Sequence, residues 1–312
     1  MAKYLYIDGN NIGHASQRTN KLHVAGREVQ AIFHFMKSIR SLLVENKGFI
    51  PLVLWDGKAK HRIDLYPEYK GNRGKDPKQK AEADTYREQL PDIQKMLSLL
   101  GVRQLVTTNL EADDLAGFLS VKASAEGHQV KLISGDKDWI QLVNENCYWH
   151  DPIRDETVTS SNFAEKTGFA SPNEFVQGKA LQGDSSDNIG GVGGIGEKGA
   201  MDFLFEYGSV ENFIKMAKKG LLSEKLPTSH QRLLDNKPFF YRKKEYQPMI
   251  KTFIRNVKLM ELRKVEKPDP KKTKNFPAKL DQFAFEEMAS ELAFNSILKT
   301  VDVWILPFKR QL

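Results

Sequence analysis

Over the first 160 residues, apolar runs of strand length alternate with stretches whose apolar residues recur every three to four positions. Residues 4–7, 50–55, 102–106 and 130–134 are the short runs. Between them, residues 28–46 set Val29, Ile32, Phe33, Met36, Ile39 and Leu43 on one helical stripe, and residues 111–125 present Leu115, Phe118 and Leu119. Strands separated by helices predict an α/β fold with a parallel sheet flanked by helices. From about Ser171 the pattern turns helical. Ser171-Pro172-Asn173-Glu174 has capping-box spacing with proline at the first helical position, and opens a helix ending near Gly183. The glycine-dense turn 190–196 separates it from a helix over 197–207, and Ser209 caps the next. Residues 264–274 read as a Lys/Pro linker, 280–298 as a last amphipathic helix, and 302–312 as a tail with an apolar centre. Phe239-Phe240-Tyr241-Arg242-Lys243-Lys244 reads as a core helix with a solvated face, ahead of a base-stacking role.

One insertion breaks the rhythm. Residues 58–80 hold eight Lys or Arg against three acids, with Pro67, Gly71, Gly74 and Pro77 as breakers. Composition alone favours a solvated loop.

The residues just past each strand are more informative. Asp8 comes after the first, Asp56 after the second, Glu111, Asp113 and Asp114 after the third, and Asp136 and Asp138 after the fourth. Ligands of open parallel sheets bind beyond the carboxyl ends of the strands. Any single acid is explained by capping the next helix, but four strand ends together call for another reason. Two carboxylates about 4 Å apart repel by roughly 4 kcal/mol at an effective dielectric near 20, so such a cluster calls for cations. Oxygen donors without Cys or His select Mg²⁺ or Mn²⁺ over zinc. Asp184 and Asp187, just before the glycine turn, join the candidate set.

Charge then changes meaning. The chain carries 47 basic against 40 acidic residues, a net +7. With the nine candidate ligands set aside, 31 acids remain against 47 bases, a surplus of 16, the balance of a phosphate-backbone binder. A hydrophobic content of 40% excludes a disordered chain. No apolar run approaches membrane-spanning length, and Asp8 falls where a secretory segment should be greasy, so a cytoplasmic, unexported protein is expected. Cys147 alone excludes a disulfide framework and reads as a buried filler beside Tyr148 and Trp149. The seven histidines are scattered without H-E-x-x-H, which excludes a metalloprotease motif.

Gly191-Val192-Gly193-Gly194-Ile195-Gly196 formally satisfies G-x-G-x-x-G, but no strand precedes it. Glu197 stands where a Walker A loop needs lysine, and Gly199 where it needs Ser or Thr. Helices on both sides suit a helix-hairpin-helix, whose backbone N–H groups and following helix N-terminus hold a DNA phosphate.

The chain resembles the flap endonuclease family of 5′ nucleases, which includes stand-alone bacteriophage 5′–3′ exonucleases and the 5′-nuclease domain of bacterial DNA polymerase I. The resemblance rests on Ile7-Asp8-Gly9, Trp55-Asp56-Gly57, Tyr69-Lys70-Gly71-Asn72-Arg73, Glu111-Ala112-Asp113-Asp114, Ser134-Gly135-Asp136-Lys137-Asp138 and Gly183-Asp184-Ser185-Ser186-Asp187-Asn188-Ile189, in that order, with Arg255-Asn256-Val257-Lys258-Leu259 resembling a later segment. It implies a PIN-like core over 1–170 with a helical arch at about 58–90, and a 171–312 region with a helix-three-turn-helix and C-terminal helices. It implies a two-metal 5′ nuclease using two Mg²⁺, with Mn²⁺ as substitute. Asp8, Asp56, Glu111, Asp113 and Asp114 would hold one ion; Asp136, Asp138, Asp184 and Asp187 would hold the other. Lys70 and Arg73 would act with Asp8 and Asp136 at the scissile phosphate. Lys58, Lys60, Arg62, Tyr69 and Lys75 would contact DNA from the arch, and Gly191, Gly194, Gly196 and Lys198 from the turn, where the family commonly holds K⁺. The implied partners are 5′ flaps, duplex DNA with a free 5′ end, RNA–DNA hybrids and replication proteins, met by a monomer with no room for an appended polymerase.

The chain departs from the family at several points. Gly190 and Gly193 stand where prolines are common, and Gly199 replaces a usual threonine. His14 and Ala15 occupy the place of an aromatic-arginine pair, leaving Arg18 as the candidate support for the 5′ strand. The rival readings are a junction-binding protein without catalysis and a PIN-type ribonuclease.

Overall fold

The four apolar runs form neighbouring strands of one sheet in the computed structural model, which describes residues 1–241 and 244–309. They are β1 (Lys3–Asp8), β2 (Ile50–Trp55), β3 (Arg103–Thr107) and β4 (Gln129–Ile133). Three further strands, β5 (Cys147–Asp151), β6 (Glu156–Val158) and β7 (Thr273–Asn275), complete the order β7-β3-β2-β1-β4-β5-β6. Strands β3, β2, β1, β4 and β5 pair in parallel, while β7 runs antiparallel to β3. The chain steps outward from β1 to β3, then returns to lay β4 on the other side of β1. The sequence pattern does not indicate β5, because Cys-Tyr-Trp-His-Asp is aromatic and polar rather than an aliphatic run. Its Cys147 is buried, as expected.

Contacts divide the chain into two units, one of Met1–Ala59, Gly74–Thr157 and Lys264–Leu312, the other of Lys60–Arg73 and Val158–Arg263. This division differs from a boundary at residue 170. In the first unit α1 (Gly9–Gln17), α2 (Gln30–Glu45), α3 (Pro77–Leu99) and α4 (Ala112–Ala125) flank the sheet. Ile7, Val53 and Trp55 pack with Ile32, Phe35, Met36 and Ile39 of α2 and with Ile93 and Met96 of α3. Each such buried side chain contributes about 1.5–3 kcal/mol of transfer free energy.

The C-terminal segment joins the same core. The end of the stretch 264–274, expected as a linker, enters the edge strand β7. The helix expected over 280–298 is broken into α5 (Gln282–Glu291) and α6 (Asn295–Leu298), where Ala293 takes φ 53°. On one continuous helix Leu292 and Phe294 would face opposite ways; the break lets both bury. The tail folds as α7 (Val301–Trp304) and α8 (Leu306–Lys309), and the Trp304 ring stacks 5.3 Å from both Phe285 and Phe308.

In the second unit, Ser171 caps the helix Pro172–Gln182 by accepting the Glu174 N–H at 3.3 Å, and Gly183 ends it with φ 82°. Helix Glu197–Tyr207 follows the glycine turn, and Ser209 caps Val210–Lys218. Phe203, Tyr207 and Phe213 pack ring against ring, 4.7–5.0 Å apart. Phe239–Tyr241 pairs with Lys244–Tyr246 as an antiparallel hairpin instead of the expected helix. The run of aromatic residues favours the extended form. Arg242 and Lys243 lie outside the described residues.

Candidate active site

Capping is how the chain brings its acids to one edge of the first unit. Asp8 caps α1, its Oδ1 accepting the Asn11 N–H at 2.9 Å. Glu111 and Asp114 form a capping box on α4, in which Asp114 Oδ2 accepts the Glu111 N–H at 3.0 Å. Asp56 Oδ1 accepts the Ala112 N–H at 2.9 Å. Asp136 Oδ1 accepts the Asp138 N–H at 2.8 Å and opens the 3₁₀ turn Lys137–Leu142. Ile7 is in register with Val53 and Ile133, so these strands end together. The capping explanation and the convergence are therefore one fact: the next helices begin at the edge where the strands stop.

A circuit of hydrogen bonds joins the acids through residues whose role the sequence pattern does not signal. Ser134 Oγ donates to Asp8 Oδ2 at 2.7 Å and accepts the Asp136 N–H at 3.0 Å. Asn11 Oδ1 accepts the Gly135 N–H at 2.9 Å. Asn10 Nδ2 donates to Asp56 Oδ2 at 2.6 Å. Trp139 Nε1 donates to Asp113 Oδ1 at 2.7 Å, closing the loop beside Asp138. Asp8 and Glu111 are buried and Asp114 fully so, whereas Asp56 and Asp136 are exposed.

The donor chemistry fits hard divalent ions, since every group is a carboxylate with oxygen donors. The spacing is open: among the described residues no three His, Cys, Asp or Glu groups converge closely enough to grip an ion as they stand. An ion would have to draw the rim carboxylates together.

Asp184 and Asp187 lie in the second unit, each engaged with a cation. Burial by itself would raise the Asp184 carboxyl, but the Lys179 ammonium at 2.9 Å and hydrogen bonds from Ser186 outweigh it and hold the group down at about 2. Asp187 Oδ1 accepts from the Arg73 guanidinium at 2.8 Å, and Oδ2 accepts the Tyr69 hydroxyl at 3.0 Å, with Lys70 Nζ 3.9 Å away. The Lys70 N–H also donates to the Asp187 carbonyl at 2.9 Å, from a left-handed backbone with φ 57°. Asn72 Nδ2 donates to the Ser185 carbonyl and Asn188 Nδ2 to the Glu68 carbonyl, so the segment Lys60–Arg73 is clamped onto the turn after Gly183.

The expected DNA contacts divide. Lys58, Lys60, Lys75 and Lys198 are exposed, although Lys60 pairs with Asp64 at 2.6 Å. Arg62 is a correction: it is 3% exposed and its Nε donates to the Leu259 carbonyl at 2.8 Å, so it holds the unit together instead of facing a phosphate. Tyr69 is likewise buried and committed to Asp187. At Gly191 an added Cβ would come 2.2 Å from the Gln182 carbonyl oxygen, so only glycine fits. Gly194 is exposed, and Gly196 heads helix Glu197–Tyr207 with no side-chain cap. Asn256, fully buried, donates to the Ala180 and Gly190 carbonyls at 2.9 Å each and pins the turn. In the first unit, His14 lies 4.4 Å from the Tyr86 ring, and Arg18 pairs with Glu82 at 3.6 Å.

Two sequence profiles match the chain: the 5′-3′ exonuclease N-terminal resolvase-like domain over residues 3–168 and the 5′-3′ exonuclease C-terminal SAM fold over 170–270. The 5′-3′ exonuclease of Aquifex aeolicus is 36% identical over 195 residues, covering 62% of this chain and 65% of the relative. DNA polymerase I of Streptococcus pneumoniae is 36% identical over 220 residues, covering 67% of this chain and 24% of the polymerase, so the match spans about a quarter of that relative. Among solved structures, the T5 D15 protein co-crystallised with metal ions is similar with a TM-score of 0.66 at 22% identity, covering 99% of each chain. The catalytic core of Rad2 in complex with DNA substrate reaches 0.61 at 14% identity, over 98% of this chain and 93% of the other. At those identities the likeness is one of fold. Two adjoining profiles of one family, the first alone covering more than half the chain, decide the matter: the chain belongs to the 5′-3′ exonuclease family.

Proposed function

We propose that this protein is a metal-dependent 5′ nuclease that hydrolyses phosphodiesters near 5′ ends of flapped or duplex DNA, with RNA–DNA hybrids as further substrates. The observation that carries the proposal is the hydrogen-bonded circuit of carboxylates beyond the ends of β1, β2, β3 and β4, beside the point where the strand order reverses. Asp8, Asp56, Glu111 and Asp113 are the candidate ligands of one Mg²⁺ or Mn²⁺ ion, with Asp114 orienting Glu111. Asp136 and Asp138 are candidates for a second. Such ions supply an activated water and neutralise charge on the attacking and leaving oxygens. Ser134, Asn10 and Trp139 hold the carboxylates in orientation. Asp184 and Asp187, the other expected ligands, and Lys70 and Arg73, the candidates for stabilising charge on the phosphate, must first exchange their present partners. The glycine turn and Lys198 suit backbone phosphates of duplex DNA, with K⁺ as a companion ion there. Among the described residues no helix is long and apolar enough to cross a membrane.

A 5′-labelled flap substrate tests this. Cutting should require a divalent ion and stop in EDTA, and Asp136→Asn should lower the rate on the order of 10²-fold or more while leaving DNA binding in place. Cutting in EDTA would overturn the reading. Tight binding without cutting in Mn²⁺ would point to a junction-binding protein, and a preference for single-stranded RNA to a PIN-type ribonuclease.

A further inference from the structure

The long helix α3, which begins at the end of the basic insertion and runs on beyond it, makes a polar connection to the acidic rim. Tyr86 on α3 is almost fully buried, and its hydroxyl donates to Asn10 Oδ1 at 3.3 Å. The amide of Asn10 has one acceptor and one donor end, so engaging Oδ1 with a hydroxyl turns Nδ2 away from it. That Nδ2 donates to Asp56 Oδ2 at 2.6 Å, and the other Asp56 oxygen accepts the Ala112 N–H at 2.9 Å. Asp56 is thus held at both oxygens, one fixed by the backbone of α4 and one by a side chain whose orientation depends on α3.

The packing around Tyr86 supports a dedicated position. A Cβ at Gly13 would lie 2.2 Å from the Tyr86 hydroxyl oxygen, so this stretch of α1 admits the phenol only because residue 13 is glycine. The His14 ring, 4.4 Å away, packs against the tyrosine ring. Burial, with the nearby Asp8 and Asp56 charges, pushes the phenol well above its ordinary range, so it remains a donor at any working pH.

We infer that Tyr86 and Asn10 are positioning residues for Asp56, coupling the helix that continues the basic insertion to the ion-binding rim. A displacement of α3 on binding nucleic acid would then alter how Asp56 presents its outer oxygen. The inference rests on the reading of Asp56 as an ion ligand.

Tyr86→Phe removes only the hydroxyl and keeps the ring against His14. Calorimetric titration of Mn²⁺ into the full chain should show about threefold to tenfold weaker binding in Tyr86→Phe, the range expected from losing one hydrogen bond behind a ligand. Asn10→Ala should weaken ion binding at least as much, and adding Tyr86→Phe to it should change nothing further, because the connection is already cut. Affinity for flapped DNA in EDTA should stay within about twofold of the parent. A merely structural tyrosine would lower stability additively in both backgrounds and leave ion affinity alone. Equal Mn²⁺ affinity in parent and Tyr86→Phe would overturn the link while leaving the nuclease reading intact; a parent that binds no Mn²⁺ would overturn both.

Discussion

At Ser134 one hydroxyl serves two acids, giving its proton to Asp8 and accepting from the backbone of Asp136. Ser134→Ala leaves the buried Asp8 carboxylate and the Asp136 N–H each short of a hydrogen bond, which should cost about 1–3 kcal/mol. The larger effect should fall on chemistry, with the cutting rate at saturating Mg²⁺ dropping on the order of 10- to 100-fold. Urea unfolding and a rate measurement separate the two, and an unchanged rate would remove Ser134 from the site. The carboxylates themselves were legible because each follows an apolar run, a local signal. Ser134, Asn10 and Trp139 were not, since their partners lie 126, 46 and 26 residues away and are chosen by strand register. Arg62 shows the converse. Its charge and its place in a basic stretch suggest a phosphate contact, but a carbonyl 197 residues distant takes it into the interior.

Elements were legible where residues are aliphatic or capped, and obscure where a pairing partner decides. β1, β2, β3 and β4 and the helices after Ser171 and Gly196 stand within a residue or two of their expected limits. Strands β5, β6 and β7 pair on the outer sides of the sheet, where polar and aromatic residues suffice. The hairpin Phe239–Tyr246 defeats a helical reading for the same reason, and its position gives the glycine turn a constraint that composition does not reveal. Gly193 has φ 52°, and a Cβ there would lie 2.4 Å from the Phe239 ring. Gly193→Ala therefore meets both a left-handed backbone, costing about 1–2 kcal/mol, and a ring that must move. The expected outcome is a lower urea midpoint together with weaker binding to duplex DNA by fluorescence anisotropy, while Mn²⁺ affinity remains that of the parent. Unaltered DNA affinity in a destabilised variant would separate the turn from DNA binding.

For the whole molecule, the division of labour along the chain is less sequential than its pattern suggests. The first strand and the last described helix share one core, with Leu5 and Ile7 in the same cluster as Trp304, Ile305 and Phe308. Residues 264–274 read as a linker and 302–312 as a tail on either side of the expected helix over 280–298, because a local pattern does not show which distant strands and helices they pack against. Phe285, Leu292, Phe294, Trp304 and Phe308 are nevertheless buried, and Phe285, Trp304 and Phe308 form a continuous stack. If this segment is integral to the nuclease unit, Phe308→Ala should cost about 3–5 kcal/mol, the range for emptying a packed aromatic site. A control of equal chemistry lies elsewhere on the same chain: Phe205 is 95% exposed, and Phe205→Ala should stay within about 0.5 kcal/mol of the parent. The contrast isolates packing from the loss of a phenyl ring as such. Equal and small effects in urea unfolding would mean that the C-terminal segment only decorates the unit. A large effect at Phe308 alone would mean that the sheet presenting Asp8 and Asp56 depends on the packing of a segment some 250 residues or more further along the chain.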